Sequence, residues 1–340
     1  MSEVFLAGDV GGTKTNLAIF PADKEPTVPI LQQTFSNANY PSLESLVRDF
    51  LNRTKVAVQH ATLGVAGPVI GDRINATNIA WVVDRKQLLE EFGFSSAHLI
   101  NDLVATAYSI PFLGQEDLRT INPGESVEHG TIALIAPGTG LGEAFQTWDG
   151  VRYGTHASEG GHADFAPTNP MEIQLLEFLR HRFDHVSYER VCSGHGIRNI
   201  YDYFHKDLAG NEKSWLEHET HRVLSADDLV PVIVEAALKG EPFCSPCVST
   251  VDVFIDILAE EAGNLALKIL PTGGVFIAGG VPIHMLPAIK NDQFIKVFTN
   301  KGRMSNLLSK IPVHIIVNPN APLLGASHFC YDSLLTLGSN

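Results

Sequence analysis

The chain is poor in cysteine, in positive charge and in long apolar runs, and each scarcity closes off a class of protein. Four cysteines (Cys192, Cys244, Cys247, Cys330) in 340 residues do not make a disulfide framework. Cys244-Ser-Pro-Cys247 is a CxxC without a second pair of ligands, so structural zinc is not expected. A reduced, cytoplasmic protein is the simplest reading. Lysine and arginine total 24 against 38 acidic residues, a formal charge of −14. No basic excess exists to displace counterions, which argues against a nucleic-acid partner. The longest apolar runs, such as 131–136 and 275–278, are strand-sized and far short of a membrane span, so no membrane partner is expected. A strand-like run begins at Val4 with no basic leader before it, and Asp9 follows too soon for a signal peptide.

Hydrophobic residues make up 44% of the chain, enough over 340 positions for two domains with their own cores or one large one. Short apolar strands at 4–8 and 16–20 flank the turn Val10-Gly11-Gly12-Thr13-Lys14, and a third strand fits 30–35. Ser42 can cap a helix with Leu43, Leu46, Val47 and Phe50 on one face. Asp84 with Gln87 reads as a capping box. A mixed sheet with helices on its faces follows from this order. The plan then restarts about 130 residues on: an apolar strand at 131–135, the turn Gly138-Thr139-Gly140-Leu141-Gly142, and a strand at 143–147. One repeat at that distance suggests two related α/β domains and not a solenoid. Ser249 with Asp252 is expected to cap a long helix through Phe254 and Leu270, ahead of a strand at 275–278.

Five motifs carry chemistry. In Gly8-Asp9-Val10-Gly11-Gly12-Thr13 the glycines let the backbone approach an anion and Thr13 adds a hydroxyl donor. Asp9 suits such a loop only beside a metal, where a carboxylate meets Mg2+ directly or through water. An ordinary hairpin turn has the same composition, and the GxxxxGK[ST] spacing of a Walker loop is absent. Gly138, Thr139 and Gly140 form a second such turn. Two of them on paired domains can hold a polyphosphate through backbone amides and a cation, as the scarcity of nearby lysines requires. Gly273-Gly274 and Gly279-Gly280 bracket a strand; a glycine pair there can admit a flat adenine ring or simply mark turns. Asn101-Asp102 ends one strand and opens a helix. An aspartate there can cap the helix, yet ligands of α/β sheets bind at the carboxyl ends of strands. Ser158-Glu159-Gly160-Gly161-His162, with Glu189 further on, offers the donors and acceptors that vicinal hydroxyls need. The spacing of known metal motifs is missing from it.

The order DVGGT, INDLVA, PGTGLG, EGGHADFAP, ERVCSG and GGVFIAGGV, running from Val4 to about Ser327, resembles the bacterial-type glucokinase family of the actin-like, hexokinase-like ATPase superfamily. The resemblance implies two actin-like (ribonuclease H-like) α/β domains flanking a cleft: a small one of 1–110 plus 321–340 and a large one of 111–320. The last helix, 323–337, would pack on the smaller. It implies ATP-dependent phosphorylation of glucose at the 6-hydroxyl, with Mg2+ accompanying ATP near Asp9, and a homodimer. Asp102 would be the catalytic base. Asn78, Asn101, Glu159, His162 and Glu189 would bind the sugar. Asp9, Gly11, Gly12, Thr13, Gly138, Thr139 and Gly140 would hold the phosphates, and Gly279 and Gly280 the adenosine. Another hexose, another phosphoryl donor, or a sugar-independent ATPase or regulator on the same superfold are the alternatives. Lys14 stands where these glucokinases often carry Asn; the related repressor–kinase family has Lys there. That family's cysteine-rich zinc motif and leading DNA-binding domain are not expected here. Glu143, directly after the second glycine turn, is an acidic intrusion that the motifs leave unexplained.

Overall fold

The computed structural model of the protein describes residues 3–77, 79–205, 226–239 and 244–337. The chain divides into two compact units: Met1–Asp117 with Asn318–Asn340, and Leu118–Val317.

The first unit is built on a five-stranded sheet. Its strands are β1 (Val4–Val10), β2 (Lys14–Pro21), β3 (Leu31–Ser36), β4 (His60–Val65) and β8 (Ser96–Asn101), in the order β3-β2-β1-β4-β8. β1 is antiparallel to β2 and parallel to β4, and β4 is parallel to β8. Central strands covered on both faces should read as unbroken apolar runs, and Val-Phe-Leu-Ala in β1 does. Helix α1 (Leu43–Thr54) lays Leu43, Leu46, Val47 and Phe50 on one face, and its capping box closes as the Ser42 and Ser45 side chains each accept from the other's backbone N–H. A small sheet of β5 (Val69–Ile70), β6 (Arg73–Asn75) and β7 (Val82–Asp84) precedes α2 (Arg85–Phe92). Asp84 caps α2 by accepting from the Lys86 and Gln87 amides. The helix Ala321–Leu337 covers the opposite face against α3 (Asp102–Ser109), burying Leu323, Ala326 and Cys330 with Phe5, Ala7 and Ala105. Gly325 is required at that crossing, because a Cβ there would collide with the Ala105 carbonyl.

The second unit repeats the topology. Strand β9 (Leu118–Asn122) leads into β10 (Ile132–Pro137), β11 (Leu141–Trp148) and β12 (Tyr153–Ser158), joined later by β13 (Gly274–Ile277) and β14 (Val313–Ile316). The order is β12-β11-β10-β13-β14-β9, with β10 antiparallel to β11 and parallel to β13. The first five strands of this order match those of the first unit, and β9 adds an antiparallel edge. Helices α4 (Pro170–Arg180), α5 (Gly194–His205), α6 (Ala226–Lys239) and α7 (Ser245–Ile269) supply one continuous core with β10 and β13.

Two expectations are corrected. The long helix starts at Ser245, not at Ser249. Pro246 occupies its first turn, where a missing N–H costs nothing, and the Cys244 sulfur accepts from the Cys247 amide. Cys244 and Cys247 are also joined as a disulfide, with Cα atoms 5.3 Å apart, so the cysteines are not all reduced; Cys192 and Cys330 are free and buried. The CxxC spacing places its first cysteine at the helix cap and its second one turn in, which brings the sulfurs together. Among the described residues no cluster of three or more His, Cys, Asp or Glu could hold a metal ion, and no helix is long and apolar enough to cross a membrane.

Candidate active site

In the first unit the parallel register aligns the carboxyl ends of three strands. Asp9 lies beside Gly64, and Val65 beside Asn101. Asp9 and Asp102 therefore share one edge of the sheet. Asn101, not Asp102, caps α3: its Oδ1 accepts from the Leu103 and Val104 amides at 2.9 and 3.3 Å. Its Nδ2 donates to the Gly67 carbonyl at 3.0 Å. The neighbouring carboxylate is thereby released from the capping duty that the sequence alone could have assigned to it. Burial pushes the Asp102 carboxyl above the usual range, opposed by hydrogen bonds from the Leu103 amide and the Asn101 side chain. Asp9 is pushed up to about 6, chiefly by burial, with the Asn16 amide working against the shift and Asp102 adding to it.

The turn between β1 and β2 is closed by the Gly11 N–H donating to the Lys14 carbonyl at 3.0 Å. Behind it stands Asn37, a buried residue that no motif had marked. Its Nδ2 donates to the Gly11 and Gly12 carbonyls at 2.8 and 3.2 Å, its backbone N–H donates to the Thr13 carbonyl, and its Oδ1 accepts from Thr15 Oγ1. With those carbonyls held from behind, the turn keeps one shape. Thr13 itself is exposed. Asn78 lies outside the described residues.

In the second unit Gly138, Thr139 and Gly140 join β10 to β11, and the Gly194 N–H at the start of α5 donates to the Gly138 carbonyl at 2.7 Å. Gly279, with φ of 93°, sits where a Cβ would strike the Pro137 carbonyl, so the second and third glycine elements meet at the ends of adjacent parallel strands. Open space lies where a Cβ would stand on Gly138 and Gly280.

The Glu159–His162 turn and the Tyr188–Arg190 turn are tied by two backbone bonds, Tyr188 N–H to Ala163 carbonyl at 3.0 Å and Phe165 N–H to Val186 carbonyl at 2.9 Å. Glu159 and His162 point outward, their side chains 88% and 59% exposed, with carboxylate and imidazole 3.9 Å apart. Glu189 reaches under the glycine turn, and its Oε2 accepts from the Leu141 N–H at 3.0 Å. Of the sugar residues expected from sequence, Glu159, His162 and Glu189 thus fall together in this unit, and Asn101 and Asp102 in the other.

Two sheets of matching strand order, each with a glycine turn at the carboxyl edge of its central strands, define an actin-like ATPase fold. The family model for glucokinase matches residues 6–333, and the chain belongs to that family. It is 39% identical to a glucokinase of Nostoc punctiforme over 95% of this chain and 98% of the relative. A glucokinase of Psychromonas ingrahamii is 36% identical over 98% and 99%. A crystal structure of a glucokinase from an Antarctic psychrotroph superposes with a TM-score of 0.83 at 31% identity, covering 98% of this chain and all of that one.

Proposed function

We propose that this chain transfers the γ-phosphoryl group of ATP to the 6-hydroxyl of glucose, with Asp102 as the base. The observation that carries the assignment of roles is the division of labour between Asn101 and Asp102: the amide caps the helix, and the partly buried acid is left at the carboxyl edge of the sheet without that task.

Phosphoryl transfer asks the protein mainly for positioning and charge stabilisation. Glu159, His162 and Glu189 supply acceptors and an imidazole that read vicinal hydroxyls, and Asn101 aims Asp102. Asp102 hydrogen-bonds the 6-hydroxyl and takes its proton as the new bond to phosphorus forms. A carboxyl whose proton affinity is raised by burial suits that task better than a solvated one. Gly11, Gly12, Thr13, Gly138, Thr139 and Gly140 present backbone and hydroxyl donors to the phosphates, and Gly279 and Gly280 leave room for the nucleoside. Mg2+ arriving with the nucleotide fits beside Asp9, whose Oδ2 accepts from Asn16 at 3.3 Å and keeps lone pairs for a cation; there it would neutralise phosphate charge. Asn78 is a further sugar contact in this reading, and a homodimer is the expected assembly.

A coupled assay for sugar phosphate over a panel of hexoses, with ATP and polyphosphate as donors, tests the substrate assignment. Glucose with ATP should give the highest kcat/KM. A mannose or glucosamine optimum, or a polyphosphate requirement, would replace the assignment. ATP hydrolysis that ignores sugar would remove it.

A further inference from the structure

Glu143 has no part in the mechanism above, yet its place in the fold is unusual. It lies on β11 opposite Ser158 of β12 and is buried, one residue beyond the second glycine turn. Its Oε2 fills the space beneath Gly160, where a Cβ would collide with it, and Ser158 Oγ holds the Gly160 N–H at 3.0 Å beside it. Its Oε1 has no donor. Facing it from α7 is a second fully buried acid, Glu261, which accepts from Asn264 Nδ2 at 2.9 Å and Lys268 Nζ at 3.3 Å. Asn264 Nδ2 also donates to the Tyr188 hydroxyl at 2.8 Å, and Lys301 Nζ donates to Asn264 Oδ1 at 2.7 Å.

Two buried carboxyls whose charges act on each other do not readily ionise together, and one of them keeps its proton. Glu261 already has its donors, so the proton belongs on Glu143. Burial and the Glu261 charge push Glu143 up to about 7, with Lys268 working against them. Burial and the Glu261 charge push both the Tyr188 hydroxyl and the Cys192 thiol up from their usual values, so both stay neutral. A buried acid of this kind is costly where an apolar residue would pack, which points to a purpose other than stability.

We propose that Glu143 is a positioning residue for the hexose: as a neutral carboxyl it braces the Glu159–His162 turn through Gly160 and links it, by way of Glu261 and Tyr188, to the turn that carries Glu189. The proposal rests on the glucose-kinase reading. Loss of the proton to solvent sets two carboxylates against each other under Gly160, and both sugar-facing turns lose their common support. Glucose affinity then weakens as pH rises through the midpoint near 7.

The test is calorimetric glucose binding, without nucleotide, to the wild-type protein, Glu143→Gln and Glu143→Ala at one unit below and one unit above that midpoint. If only the neutral form is competent, the wild-type Kd rises roughly tenfold across this interval. Glu143→Gln, which mimics the protonated acid, keeps the tight value at both, and Glu143→Ala binds weakly at both. Infrared spectra should show a buried protonated carboxyl band that fades with the same midpoint and is missing from Glu143→Gln. A wild-type enzyme that phosphorylates glucose but binds it equally at both pH values overturns this proposal and leaves the kinase reading standing. So does a Glu143→Gln protein with the full wild-type pH dependence. A wild-type protein that does not bind glucose overturns both.

Discussion

The two glycine turns occupy the same place in two sheets of the same strand order, but they are held in different ways. The turn of Gly11 and Gly12 is backed by a neutral amide, Asn37, which bonds to carbonyls and faces the core. The turn of Gly138 to Gly140 is underpinned by a carboxylate, Glu189, which also belongs to the set proposed to bind the sugar. The first support is purely structural. In the proposed function the second would join a phosphate element to a sugar element through one side chain. The contrast extends one step further along the hairpins. Counting back from the last paired residues, Leu17 of β2 corresponds to Glu143 of β11. An ordinary core leucine in one unit is a buried acid in the other. Symmetry of topology has therefore not imposed symmetry of chemistry: one unit contributes Asp9 and Asp102 at its strand ends, the other a carboxyl network beneath its turns.

The largest effect should come from the acid with no counterpart in the second unit. Asp102→Ala is expected to lower kcat by roughly 10²–10⁴ while glucose Kd changes little, measured by steady-state kinetics and calorimetry on the same preparation. A folded Asp102→Ala protein with near-normal kcat would remove the base from this account. Glu189→Ala should come next, because it strips one acceptor from the sugar and one from the Leu141 amide. KM should rise for glucose and for ATP together, by about 10–100-fold for the loss of charged hydrogen bonds worth about 1.5–3 kcal/mol. An effect confined to one substrate would break the proposed link. Asn37→Ala sharpens the contrast from the other side. Two carbonyls and a hydroxyl lose their partner, so the protein should lose about 1–3 kcal/mol of stability in denaturant unfolding, and KM for ATP should rise with glucose Kd unchanged. The smallest effect is a pH limb. An acid pushed up to about 6 is ionised above that value and neutral below it, so kcat/KM for ATP should fall as pH drops through about 6 when Asp9 protonates. A flat profile down to pH 5 would deny Asp9 a charged role.

The sheets were legible in the sequence where local signals suffice. Apolar runs at Val4 and Ile132, each ending in glycines, mark central strands and their turns, and the repeat of that pattern announced the second unit. The Asn101-Asp102 dipeptide was ambiguous, since an aspartate there can simply cap the helix; only the hydrogen bonds show that Asn101 does so instead. Asn37 gave no signal, because an asparagine between β3 and α1 reads as loop and its partners lie more than twenty residues earlier. The start of α7 was masked by Ser249 and Asp252, which look like a cap but fall inside a helix opened by Cys244 and Pro246. Glu143 read as an intrusion because its explanation, Glu261, arrives with a helix far along the chain. Periodicity reports which face is buried and not which distant group will meet it there.

Phosphorus NMR of the purified protein with glucose, ATP and Mg2+ tests the central claim most directly. The account predicts a sugar 6-phosphate resonance growing one for one with ADP, dependent on glucose and nearly lost in Asp102→Ala. Release of inorganic phosphate at the same rate with or without glucose, and no sugar phosphate, would contradict it.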